Sequence, residues 1–230
     1  MSAEVSIQIV GVDRLSSSEV AEMTDLYRSY YEGAGEDVFG EDLAKKDLVI
    51  LLKRDGAVCG FSTLVVYPFQ GIRVLFSGDT VVDVSTRNQT GLAGAFGHVM
   101  RYLNDADSVP LYWFLICKGA RTYRFLPTFF RSYVPGDAED PELAGLLRKI
   151  AADRFPDEYD ERSGLLRFGK GKDRLKTDVM RMDPESVRFR RLNPGWMHGD
   201  ELCCLAPLAM DNLNRLGRRV IAAVQPEWRL

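Results

Sequence analysis

Residues 79–94 read Asp79-Thr80-Val81-Val82-Asp83-Val84-Ser85-Thr86-Arg87-Asn88-Gln89-Thr90-Gly91-Leu92-Ala93-Gly94. A β-branched stretch gives way to small and polar residues, and then to Phe96, Val99, Met100 and Leu103 at helical spacing. Strand, glycine-rich turn and helix thus form one unit. Where such a helix begins, backbone N–H groups lack intrahelical partners and the positive end of the dipole points outward, an environment suited to a pyrophosphate. Gly91, Ala93 and Gly94 would let the backbone approach such a group, with Arg87 adding a charge-assisted contact. The alternative for the same residues is a tight crossover whose glycines serve packing only.

Upstream, residues 6–12 alternate as a first strand, and Ser16 to Ser18 offer N-cap hydroxyls to a helix carrying Val20, Met23, Tyr27, Tyr30 and Tyr31, which Gly33 and Gly35 end. Residues 41–46 read as a short polar helix. Three antiparallel strands follow, at 48–52, 59–67 and 72–84, joined by turns at Asp55-Gly56 and Gln70-Gly71. Downstream, the apolar run 111–117 is a buried strand expected to lie parallel to the one ending at Val84. Tyr123, Leu126, Phe130 and Val134 share a helical face that Pro127 should kink or shorten. Asp140-Pro141 starts a further helix, residues 165–168, 187–189 and 201–205 read as strands, and Leu213, Leu216, Val220 and Val224 mark a closing helix.

This order of elements, together with the 79–94 segment, resembles the GNAT superfamily of acyl-CoA N-acyltransferases. In that family a strand ends in a V-x-P-like turn followed by Q/R-x-x-G-x-G/A at a helix N-terminus. Here Asn88-Gln89-Thr90-Gly91-Leu92-Ala93 matches from the glycine onward, with Asn88 at the Gln/Arg position and Val84 in place of the proline. The resemblance covers residues 4–134. Segments 112–116, 123–127, 193–195 and 199–202 are also similar to those of bacterial GNAT-like proteins.

The resemblance implies an α/β fold with a splayed central sheet flanked by helices, an acyl-CoA-binding core over residues 1–134, and a C-terminal extension over 135–230 completing the acceptor side. It implies acyl-CoA or acetyl-CoA as donor, with the backbone of Val82, Asp83 and Val84 pairing with pantetheine and the turn Arg87, Asn88, Gln89, Thr90, Gly91, Leu92, Ala93 and Gly94 holding the pyrophosphate. A carboxylate on the preceding strand serves the family as base, which points to Asp79. The family's acid, a tyrosine, falls near Pro127, so Tyr123 one turn earlier is the replacement, with Tyr133 and Cys117 behind it.

The bland roles are a strand-end acceptor for Asp79, loop-donor satisfaction for Asp83, and core packing for the tyrosines and Cys117. The function implied is transfer of an acyl group from CoA, or from a carrier-bound pantetheine thioester, to an amine acceptor. The alternative is a catalytically silent acyl-CoA-binding or protein-docking module.

Composition bounds the remainder. A formal charge of −3 argues against a general nucleic-acid binder, although the basic aromatic stretch 112–133 would suit an acidic acyl carrier protein or a longer acyl chain. The longest apolar runs are too short to span a bilayer, no signal peptide is visible, and scattered Cys59, Cys117, Cys203 and Cys204 fit a reducing, cytoplasmic setting. His98 and His198 are isolated, so no metal site is expected; His198, in a Pro-Gly-rich stretch, is the better functional candidate of the two.

Overall fold

In the computed structural model the described residues are 5–32, 38–86, 90–138, 140–168, 174–175 and 183–230. The first part of the chain runs β1 (Val5–Gly11), α1 (Ser17–Tyr30), β2 (Tyr31–Glu32), α2 (Val38–Leu43), β3 (Leu48–Arg54), β4 (Ala57–Phe69), β5 (Ile72–Val82), α3 (Gly91–Ala106) and β6 (Leu111–Cys117). It continues with α4 (Ala120–Tyr123), α5 (Phe125–Phe129), α6 (Pro141–Arg154), β7 (Tyr159–Asp160), β8 (Leu165–Leu166), β9 (Arg174–Leu175), α7 (Pro184–Leu192), β10 (Glu201–Pro207), α8 (Arg215–Ala222) and β11 (Glu227–Arg229).

Nine strands form one mixed sheet in the order β11-β1-β3-β4-β5-β6-β10-β8-β7. The expected meander β3-β4-β5 is antiparallel, and both of its turns place two residues at positive φ: Asp55 and Gly56, then Gln70 and Gly71. β5 and β6 pair in parallel, as the sequence suggested, but only from Arg73↔Leu111 to Ser77↔Leu115. Residues after 134 supply β10, β8 and β7 on one side of this sheet and β11 on the other, so the sheet is continuous across residue 134.

Alternation along the strands feeds two faces. On one, Ile50, Leu75, Trp113 and Leu115 meet Phe96 and Met100 of α3 and Ile221 of α8. The other face is covered over Val49, Leu51 and Phe61 by Met23 and Tyr27 of α1 and Phe39 of α2, and over Val74, Phe76 and Phe114 by Leu143, Leu147 and Ile150 of α6. β6 is apolar throughout because both its faces are covered. Glu19 locks the first helix to the sheet. Ser16 and Glu19 form a capping box, and Glu19 Oε1 accepts from Lys53 Nζ at 2.7 Å and Arg229 at 2.5 Å. Desolvation pushes its carboxyl up, but the hydrogen bonds from Lys53, Ser16 and Arg229 outweigh it and bring it down to about 2.

Three expectations change. Residues 187–189 lie within α7, started by Asp183 accepting from Ser186 N–H and by Pro184; the short apolar run had no length to distinguish strand from helix. The aromatic helix after β6 is two short ones, α4 and α5, meeting at Arg124 ahead of Pro127. β5 ends at Val82 rather than continuing to Val84. Gly33 and Gly35 lie outside the described residues.

Candidate active site at the splayed strands

Beyond Ser77, β5 keeps its partner β4 as far as Gly60↔Val82 but no longer pairs with β6. The backbone of residues 78–81 therefore offers an edge inside the sheet. A bulge marks the point of departure: Leu64 faces Ser77 and Ser62 faces Thr80, so Thr63 stands opposite both Gly78 and Asp79. Phe76 and Asp79 are three residues apart and would point to opposite faces of an unbroken strand. The extra residue brings both into the same cavity. Gly78 is required there: a Cβ would fall 2.8 Å from Thr63 Oγ1 and 3.0 Å from Lys46 Nζ.

Two cavities flank this stretch. One, of about 160 Å³, is predominantly apolar and is lined by Val81, Val82, Leu92, Phe96, Trp113 and Phe125. The other, of about 360 Å³, is lined by Asp79, Phe76 and a set of charged and aromatic residues from α1, α2, α6 and β10. Tyr31, Ser77, Thr80, Lys118 and Thr122 line both. The cavities meet where β5 and β6 part.

Asp79 is half-buried, and removal from water raises its carboxyl to about 6, with Asp42 and Glu201 adding to the rise and Lys118 and Lys46 opposing it. Lys118, directly after β6, has a side chain 17% exposed, with its Nζ 3.9 Å from Glu201 and 4.6 Å from the Tyr31 ring centroid. Sequence reading named Lys118 only as one of several basic residues in the aromatic stretch 112–133, and it missed Arg154 and Glu201. A lysine just after a buried apolar strand was the available signal for the first; the others come from α6 and β10, far along the chain.

Tyr123 is brought elsewhere. Its side chain is fully buried, its hydroxyl donates to the Pro135 carbonyl at 2.9 Å, and its ring packs near Phe189 at 6.1 Å between centroids. Burial drives the phenol well above its ordinary range, and it lines neither cavity beside Asp79. Cys117 is also buried, its sulfur 3.8 Å from that of Cys204.

Val82 lines the apolar slot, but Asp83 and Val84 form a turn. Asp83 accepts from Ser85 Oγ and N–H and from Tyr30 Oη, which together hold its carboxyl below the usual range. Val84 N–H donates to Tyr30 Oη at 2.9 Å while its side chain is exposed. Arg54 reaches the same turn, donating to Ser85 Oγ and Thr86 Oγ1 at 2.7 Å each. Arg87, Asn88 and Gln89 lie outside the described residues.

Thr90 precedes the first turn of α3 without a side-chain cap, and Leu92 lines the slot. A side chain at each of the α3 glycines would point into the protein. A Cβ on Gly91 would meet Ile7 at 2.9 Å, and Cβ atoms on Gly94 and Gly97 would lie within 2.3 Å of Val224 and Ile221. Their smallness serves the packing of α3 on β1 and α8, while Ala93 lines a small pocket against α8. His98 Nε2 contacts the carbonyls of Ile221 and Val224 at the end of α8, and His198 is exposed in a 3-10 turn.

Among the described residues no helix is long and apolar enough to cross a membrane, and no group of three or more His, Cys, Asp or Glu is placed to hold a metal ion. No family model and no curated protein matches the sequence. Solved structures similar to this chain include acetyltransferases. A GNAT family N-acetyltransferase from Escherichia coli in complex with CoA is 15% identical, with a TM-score of 0.49 over 99% of this chain and 89% of that one. An acetyltransferase from Trypanosoma brucei is 17% identical, with a TM-score of 0.41 over 60% and 99%. An IAA acetyltransferase from Bacillus cereus is 9% identical, with a TM-score of 0.42 over 89% and 99%.

Proposed function

We propose that this protein is a GNAT-type N-acyltransferase that moves an acyl group directly from acyl-CoA to a small-molecule amine. The observation that carries this reading is the parting of β5 and β6 after Ser77, where an apolar slot on one face meets a charged cavity on the other at Thr80 and Lys118. An acyl-pantetheine lying along the open edge of β5 would bring its thioester to that meeting point. Peptide-like amides on the arm suit an unpaired strand edge, and apolar Val82, Leu92 and Phe96 suit its methylenes. The pyrophosphate would lie near the first turn of α3, attracted by free N–H groups and the helix dipole. Gly91, Gly94 and Gly97 support that helix from behind.

Asp79 is the base in this reading. A carboxylate whose affinity for protons is raised by burial takes up a proton from an ammonium more readily than an ordinary one. Tyr123 is replaced as the acid. Lys118, at the junction of the cavities, carries positive charge to where the thioester oxygen and departing thiolate gain negative charge, and its ammonium is the proton donor. The amine nitrogen forms the new C–N bond as the C–S bond breaks. Of the two protons the ammonium nitrogen loses, the first passes to Asp79 before attack; the thiolate takes a proton from Lys118, and the second proton from the nitrogen restores that lysine's ammonium. A silent acyl-CoA-binding module would show the same donor binding without turnover.

The test is stabilisation by CoA and acetyl-CoA in thermal unfolding, with Val82→Trp filling the slot. Gly91→Glu would be a poor probe because its side chain meets Ile7 in the core. CoA should raise the melting temperature of the native chain, and Val82→Trp should weaken CoA binding at least tenfold while leaving the unliganded transition cooperative. Equal stabilisation of both proteins would remove the slot as donor site, and no stabilisation of the native chain by any CoA compound would remove the reading itself.

A further inference from the structure

Six charged residues reach into the larger cavity from its walls: the carboxylates Asp42, Asp79 and Glu201 and the cations Lys46, Lys118 and Arg154. Four of them are matched. Lys46 Nζ lies 2.8 Å from Asp42, and Lys118 Nζ lies 3.9 Å from Glu201. Asp79 and Arg154 remain, of opposite sign, and neither forms an ion pair with a described residue, including one another. At the rim Glu41 and exposed Lys45 add one charge of each sign, so the lining as a whole favours neither a pure cation nor a pure anion.

Arg154 is held for a ligand. Its guanidinium carbon lies 4.6 Å from the centroid of Phe76 and 4.8 Å from that of Tyr67, and its Nε is buried without a hydrogen-bond partner. Two rings thus orient a planar donor group whose natural complement is a carboxylate. Arg154 is half-buried and has no counter-ion among the described residues, and an incoming carboxylate would supply one. Asp79 lies three residues along β5 from Phe76, a span of at most about 10 Å in extended backbone. Both groups line one cavity of about 360 Å³, which has room for several carbons between an ammonium and a carboxylate.

We infer that the acceptor is a dipolar amine of the ω-amino acid class, its ammonium directed to Asp79 and its carboxylate to Arg154. This deepens the acyl-transfer reading and rests on it for the identity of the cavity as the acceptor side. The ligand bridges the unmatched acid and base, and its amine end comes to the junction with the donor slot.

Calorimetric titration in the presence of CoA, which cannot react, separates binding from turnover. The probes are ω-aminohexanoate, hexylamine, hexanediamine and alanine. ω-Aminohexanoate should bind the native chain at least tenfold more tightly than each of the others. In Arg154→Gln its advantage over hexylamine should fall below threefold, and Arg154→Lys should restore part of it. Hexylamine or hexanediamine binding as tightly as ω-aminohexanoate, or no binding by any probe, would overturn the inference; the native-chain comparison stands even if a variant is poorly folded. Release of free CoA from acetyl-CoA is then followed with the same amines. Turnover of hexylamine as fast as ω-aminohexanoate keeps acyl transfer and removes the dipolar acceptor, whereas selective binding of ω-aminohexanoate without turnover keeps the dipolar site and removes acyl transfer.

Discussion

The two halves of β5 differ in what surrounds them. Residues 72–77 pair with β4, and Arg73 to Ser77 also pair with β6; Val74, Leu75 and Phe76 are buried between helical layers. Residues 78–82 keep β4 but lose β6, and in place of an unbroken apolar run they carry Gly78, Asp79 and Thr80. The first half is committed to the core by backbone pairing and apolar burial. The second half gives up a neighbour, and its open edge and half-buried carboxylate are the features on which the proposed chemistry rests. One strand therefore serves stability at one end and the site at the other, with the bulge at Gly78 and Asp79 as the boundary.

That division makes predictions of decreasing size. Asp79→Asn should lower kcat for acyl transfer by a hundredfold or more, in the range expected when a base is removed, as read from free CoA release. The same substitution carries a pH signature. Because the folded-state carboxyl is raised to about 6, the native state binds more protons than the unfolded chain between its ordinary value and that point. Stability should therefore fall as pH rises from about 4 to about 6, and Asp79→Asn should lack this fall. In the native enzyme kcat should rise with pH through the same region. Full activity in Asp79→Asn would erase the distinction between the two halves.

Leu75→Ala should do the reverse. Truncation at a fully buried position should cost about 2–5 kcal/mol in denaturant unfolding, with CoA affinity changed less than threefold. A large loss of CoA binding at equal stability would show that the first half also belongs to the site. The smallest effect should come from Tyr123→Phe, which removes one hydrogen bond to Pro135 and should cost about 1 kcal/mol of stability, with kcat for acetyl-CoA turnover unchanged. A tenfold fall in kcat would return Tyr123 to the acid role.

Much of the framework was legible in the sequence because it depends on local patterns. Positive-φ turns at Asp55-Gly56 and Gln70-Gly71 register the meander, Ser16 and Glu19 three residues apart start α1, and the apolar run at β6 announces a strand covered on both faces. The glycines of α3 were visible too, but their purpose was not. Sequence shows that a residue is small and leaves open whether a ligand or a side chain comes close; here Ile7, Ile221 and Val224 do.

The surroundings of Tyr123 were not legible for a related reason. Counting along a single helix placed it near the chemistry, while the break at Arg124 and burial against Phe189 turn it into the core. Asp79 was singled out through the resemblance, as a carboxylate on the strand before the glycine turn, but the face it occupies depends on a bulge that nothing in its immediate sequence requires.

By itself the sequence determined the order of the main elements as far as β6, the strand–turn–helix unit and a short set of polar residues on β5, since these follow from spacing and turn chemistry within a few residues. Only the tertiary structure decided which side chains share a cavity. Arg154 from α6, Lys118 after β6 and Glu201 from β10 reach Asp79 because the sheet brings distant strands together at the point where β5 and β6 part. The pairing of charges that leaves Asp79 and Arg154 unmatched is a relation between those elements, and it exists only once they are packed.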